Sequence, residues 1–152
     1  MKRPAGWPFV ARDIGEEETR MGIERLNPKG MHGNPTYSQG VALPASARIV
    51  LIGGQNGIDA NGQIVGKGDI AAQTAQALAN LAMVLEAGGA RPEDLVRLSI
   101  YIVGDADIGP AFGVWMAFWG DRGPPPVVTG IRVLGLANPD FLIEIEGQAA
   151  IV

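Results

Sequence analysis

Hydrophobic and polar positions alternate most regularly at the end of the chain, over residues 141–152. Side chains of an extended chain point to opposite faces with a period of two. Ile143, Ile145, Ala149 and Ile151, with Gly147 among them, therefore share one face. Leu142, Glu144, Glu146 and Gln148 share the other. This is the pattern of a half-buried β-strand. Upstream, Ile70, Thr74, Ala77, Leu78, Leu81, Val84 and Leu85 recur at helical spacing, an apolar stripe about one face wide. Asp69 stands where an N-cap belongs, and Gly88-Gly89 where the helix should stop. A shorter second helix is predicted over 107–119, with Pro110 in its first turn and Phe112, Trp115, Met116 and Trp119 on one face.

Strands are predicted over 22–26, 37–43, 48–52, 95–103 and 127–134. The β-branched run at 48–52 predicts a buried strand. Gly53-Gly54 follows it, and beyond the Asn61-Gly62 turn a short return strand is expected at 63–65. Two helices against one mixed sheet make an α+β sandwich, with the helices on one face. The other face also carries apolar residues, and a chain of this size has nothing left to cover it. Self-association, with sheets curling into a shared barrel, is the expected answer. Residues 1–21, broken by Pro4 and Pro8, show no sustained period. They read as an N-terminal extension to a single domain over 22–152, with Trp7 and Phe9 as candidate anchors.

Composition narrows the function classes. The chain is 47% hydrophobic and 18% charged, which fits a globular domain rather than a disordered one. Its net charge is −4 and no Lys/Arg cluster stands out, so nucleic acid is not expected as a partner. No apolar run reaches the roughly 18 residues of a membrane span, and no secretory signal opens the chain. There is no cysteine, hence no disulfide framework, thiolate metal site or thiol nucleophile, in keeping with a cytoplasmic location. His32 is the only histidine, so a transition-metal site is not expected either. Gly66-Lys67 fails as a phosphate loop, because Gly68 follows it and Asn61 stands where the first glycine belongs. Glu144 and Glu146 share a strand face. That is the pattern of a solvated face as readily as of a group that handles a proton.

Several short stretches together decide the matter. They are Leu26-Asn27-Pro28, Tyr37-Ser38-Gln39-Gly40-Val41, Gly54-Gln55, the helix beginning Asp69-Ile70-Ala71-Ala72-Gln73-Thr74, Glu86-Ala87-Gly88-Gly89, Gly123-Pro124-Pro125 and Ile143-Glu144-Ile145-Glu146. The chain resembles the Rid family (YjgF-type, reactive intermediate deaminases) over residues 22–152. The resemblance implies a chorismate-mutase-like α+β fold in a homotrimer with a central barrel and small-molecule clefts between subunits. It implies hydrolysis of short-lived imines and enamines, such as 2-aminoacrylate, to a 2-keto acid and ammonia, with no cofactor and no metal. It places Glu144 as the residue that orients the attacking water. It also implies that Tyr37, Gly53, Gly54, Phe112, Val127 and Thr129 line the cleft.

The chain departs from the family at three of these positions. Val127 stands where an arginine grips the substrate carboxylate, Gly53 where many members have serine, and Phe112 where many have asparagine. Each change makes the cleft less polar. A lost charge-assisted hydrogen bond costs on the order of 1.5–3 kcal/mol. Arg132, Arg122 and Arg48 are the candidate replacements. Alternation sends Arg132 to the face opposite Val127 unless a bulge intervenes. Three readings stay open: a hydrolase for a larger, more apolar or carboxylate-free imine; a trimeric module that holds a small apolar ligand without chemistry; or a regulatory protein whose trimer surface is what matters.

Overall fold

In the computed structural model, which describes residues 22–152, the Asp69 carboxylate accepts from the backbone N–H of Ala71 and Ala72 at 3.0 and 3.1 Å. It thereby opens helix α1, Ile70–Ala87. Two of the donors that a helix start leaves unpaired are met this way. At the other end Gly89 adopts a φ of +74°, a conformation a side chain would resist. The stripe read from the sequence is the buried face: Ile70, Ala77, Leu78, Leu81 and Leu85 all lie in the core. Two polar residues lie with them and are satisfied. Thr74 Oγ1 donates to Ile70 O at 2.6 Å. Gln73 Nε2 donates to Asp140 O at 2.9 Å, and its Oε1 accepts from Leu142 N at 2.8 Å. A buried glutamine thus ties α1 to the approach of the last strand.

The strands are β1 (Glu24–Leu26), β2 (Gly40–Ala42), β3 (Arg48–Gln55), β4 (Leu95–Val103), β5 (Val127–Val133) and β6 (Ile143–Ile151). The main sheet has the order β3-β6-β4-β5. β6 is antiparallel to both neighbours, and β4 and β5 are parallel. Helices α1 and α2 (Gly109–Trp119) pack on one face, so the predicted α+β architecture holds. The core forms where Leu98 and Ile102 of β4 and Ile143, Ile145 and Ala149 of β6 meet α1 and α2.

Five expectations change. The sheet is not one but two, since β1 and β2 pair only with each other. β2 is shorter than predicted because the backbone before it is used elsewhere: Ser38 N donates to Pro126 O at 3.0 Å, and Ser38 Oγ to Pro125 O at 2.6 Å. The run at 48–52 is an edge strand rather than a buried one, with Ile49 and Leu51 exposed, and it continues through the glycines to Gln55. The return strand reduces to a single bridge, Ile58 to Ile64. In α2, Trp115 and Trp119 are buried and stacked at 5.4 Å, but Phe112 and Met116 face outward. The N-terminal extension with Trp7 and Phe9 lies outside the described residues.

Candidate active site

Alternation along β6 sends Ile143, Ile145 and Ala149 into the core and leaves Glu144, Glu146 and Gln148 on the face without helices. The neighbouring edge strand is irregular just there. Ile52 pairs with Gly147, but Gln55 pairs with Ile145, so Gly53 and Gly54 together oppose Glu146. This is a β-bulge, one extra residue in one strand. A side chain on Gly54 would collide with Glu144, its Cβ only 2.7 Å from the carboxylate carbon. Glycine is therefore the residue that lets the Glu144 carboxylate lie over the bulge. Glu144, Gly53 and Gly54 come together as one cluster at the β3 edge.

Val127 and Thr129 lie at the opposite edge, on β5, paired with Arg97 and Ser99 of β4. Glu144 pairs with Tyr101, four residues further along β4 and on its other side. Strand spacings of about 4.8 Å and a rise of about 3.3 Å per residue put Val127 and Glu144 about 16 Å apart. One protomer does not bring them together.

Tyr37 and Phe112 form a third group. Tyr37 precedes the Ser38 anchor on the Pro125-Pro126 turn, and its hydroxyl lies 2.9 Å from His32 Nε2. Tyr37 and Phe112 border the same cavity of about 250 Å³, which runs under α2 between the helices and the sheet.

The three replacement arginines are all committed to backbone carbonyls. The β4–β5 register is continuous, so no bulge brings Arg132 to the face of Val127. Its guanidinium donates to Gly104 O at 2.8 Å and to Ala106 O. Arg122 donates to Phe118 O and Trp119 O at the end of α2. Arg48 donates to Gly88 O at 2.5 Å.

Sequence reasoning missed a polar cluster on the open face. Arg97, Ser99 and Glu146 border a groove of about 400 Å³ along β4 and β6. The Tyr101 hydroxyl donates to Glu146 Oε1 at 3.0 Å. That hydrogen bond, with some loss of solvation and the nearby negative charge, raises the phenol above its ordinary pKa. The signal was in the sequence, since Arg97, Ser99 and Tyr101 alternate with the apolar residues of their strand. Among the described residues no cluster of His, Asp or Glu could hold a metal ion, and no helix is long and apolar enough to cross a membrane.

This geometry has close counterparts. The family model described as Endoribonuclease L-PSP matches residues 31–151. A RutC family protein from Pyrococcus horikoshii is 34% identical over 114 residues, which are 74% of this chain and 85% of that protein. The crystal structure of YyfB from Yersinia pestis, a Rid-family protein of unknown function, is 37% identical with a TM-score of 0.76. That match covers 86% of this chain and 100% of the other. The YjgF gene product of E. coli is 28% identical with a TM-score of 0.61, over 74% of this chain and 86% of its own. With these matches spanning most of its length, the chain belongs to the Endoribonuclease L-PSP family, the group of YjgF and Rid proteins.

Proposed function

We propose that this protein hydrolyses imines or enamines that carry no carboxylate beside the reacting carbon, in clefts between the subunits of a homotrimer. The observation that carries the reading is the Glu144 carboxylate held over the Gly53-Gly54 bulge on the open face. It has the chemistry to orient a water and take its proton. As the water oxygen bonds to the imine carbon, the C=N π pair moves to nitrogen, which is protonated. The carbinolamine then collapses: the C–N bond breaks, ammonia leaves and a carbonyl remains. Each proton taken by Glu144 is returned, so no cofactor is consumed.

The residues at the β5 edge favour the substrate class. Val127 itself offers a carboxylate no partner, Arg132, Arg122 and Arg48 are engaged elsewhere, and Arg97, its neighbour on β4, borders the groove that holds Glu146. Burying an unpaired carboxylate is costly. The separation of Val127 from Glu144 favours a shared site, since the β5 edge of one copy and the β3 edge of another can contribute to one cleft. RNA cleavage, which the family's descriptive name suggests, finds no support in a chain of net charge −4 without a basic cluster.

The test is ammonia release from freshly generated imines, with and without a carboxylate. The native chain should accelerate the carboxylate-free substrates, and Glu144→Gln should lose at least about 100-fold, the usual share of a positioned acid–base group. Val127→Arg should gain turnover of small 2-imino acids. If the native chain and Val127→Arg are both inert while folded, a non-catalytic ligand-binding or regulatory role replaces the hydrolase.

A further inference from the structure

We infer that the cavity beneath α2 is a binding site for a small, uncharged, largely apolar molecule of about the size of a fused two-ring aromatic. The inner wall comes from the sheet and from α1: Leu98, Ile143, Ile145 and Leu78 are all 2% exposed or less. Trp115 and Ala111 of α2 close it from above, and both are buried. The rim is different. Ile108 and Phe112 are 42% and 47% exposed, and Thr36 and Tyr37 are half-buried. The cavity therefore has a closed end in the core and an open end beside Tyr37.

Its chemistry excludes most ligands. Apart from the Trp115 indole N–H, the polar side chains on its wall already have partners. Thr74 Oγ1 donates to Ile70 O, and Thr36 Oγ1 donates to Asn34 Oδ1 at 2.6 Å. The Tyr37 hydroxyl is engaged with His32. No Lys, Arg, Asp or Glu borders the space. A charged or strongly polar ligand would lose its water and gain at most one hydrogen bond, from the Trp115 indole, in return. An apolar one loses nothing. Apolar cavities of about 150 Å³ stay dry and take benzene. At about 250 Å³ this one has room for a second fused ring. The closed end is separate from Glu144, which sits on the other face of the sheet; the mouth shares Tyr37 and Phe112 with the expected cleft, and the inference does not rest on the hydrolase reading.

The probes are indole and naphthalene, with benzoate as the charged control, measured by calorimetry on the full-length protein. Indole and naphthalene should bind saturably with one site per chain and a negative heat-capacity change, the mark of buried apolar surface. Benzoate should bind at least tenfold more weakly. Ala111→Leu fills the space from the helix side and should weaken indole at least tenfold. Ile100→Phe fills it from the sheet side and serves if the first variant does not fold. Absence of saturable binding, benzoate binding as tight as indole, or unchanged indole binding in the folded filled variant would each overturn the inference. A protein inert towards imines that still binds indole leaves it standing.

Discussion

The two faces of the main sheet follow different rules, although the same strands build both. Under the helices, β6 contributes Ile143, Ile145 and Ala149 at 2%, 2% and 0% exposure. On the open face the same strand contributes Glu144, Glu146 and Gln148, beside Leu51 of β3 at 72% exposure and Ile131 of β5 at 42%. The covered face is completed by this chain alone, so its residues set the stability of the protomer. The open face mixes carboxylates with bare leucine and isoleucine, which suits a surface that is finished by another copy. Stability and chemistry are thus divided between two sides of one layer.

Substitutions can break that division or sharpen it. The largest effect is expected beneath α1, where Leu81→Ala should cost about 2–5 kcal/mol in denaturant unfolding, the range for a leucine truncated in a core. Leu51→Asp should leave the protomer fold within about 0.5 kcal/mol, as exposed positions do. The same change should abolish self-association in analytical ultracentrifugation, because a buried unpaired carboxylate opposes the interface. Assembly that survives Leu51→Asp would mean that the open face is not where copies meet. Gly54→Ala should displace the Glu144 carboxylate and cut imine hydrolysis roughly tenfold or more, in line with the cost of about 1 Å of misplacement. Its far-ultraviolet spectrum should stay unchanged. The smallest effect concerns Tyr101. In a Tyr37→Phe background, Glu146→Gln should move the phenolate absorbance titration to lower pH, since the acceptor that holds the phenol proton is then neutral. The sign of the linkage follows. A raised pKa contributes stability that is present at neutral pH and lost as pH climbs through the folded value, above about 10. The advantage of the native chain over the variant should therefore be present at neutral pH and fade above about pH 10, so that the variant's stability falls less steeply with alkali.

Sequence alone carried the elements whose evidence is local. The Asp69 cap, the α1 stripe, β4 and the alternation of β6 were legible because period and capping chemistry are written within a dozen residues. The edge position of β3 was not, because a β-branched run reads the same with one face covered or two. Its continuation through Gly53 and Gly54 was hidden by glycine's poor strand propensity. α2 misled for another reason: it is apolar on nearly every side, so periodicity could not say whether Phe112 faced in or out. The candidate site divides in the same way. Resemblance named Glu144 and Val127 as partners, but the register sets them on opposite flanks of β4, a long-range fact that no single segment contains. The cavity beneath α2 is invisible to any linear reading, being a property of how buried side chains fail to meet.

The bulge at Gly53 and Gly54 has one consequence beyond the placing of Glu144. In a two-fold repeating strand, each residue has a parity, inward or outward, and an extra residue reverses it for everything that follows. Ile52 faces the core under one parity, and Gln55 pairs with Ile145 under the other. Flattening the bulge without removing a residue would set Gln55 opposite Glu144 and turn the segment from Gln55 to Ile58 over. The Asn80 side chain would then lose the carbonyls of Asn56 and Ile58, which it now holds at 3.2 and 2.8 Å. The bulge therefore sets which way the chain beyond it faces, as well as where the Glu144 carboxylate lies.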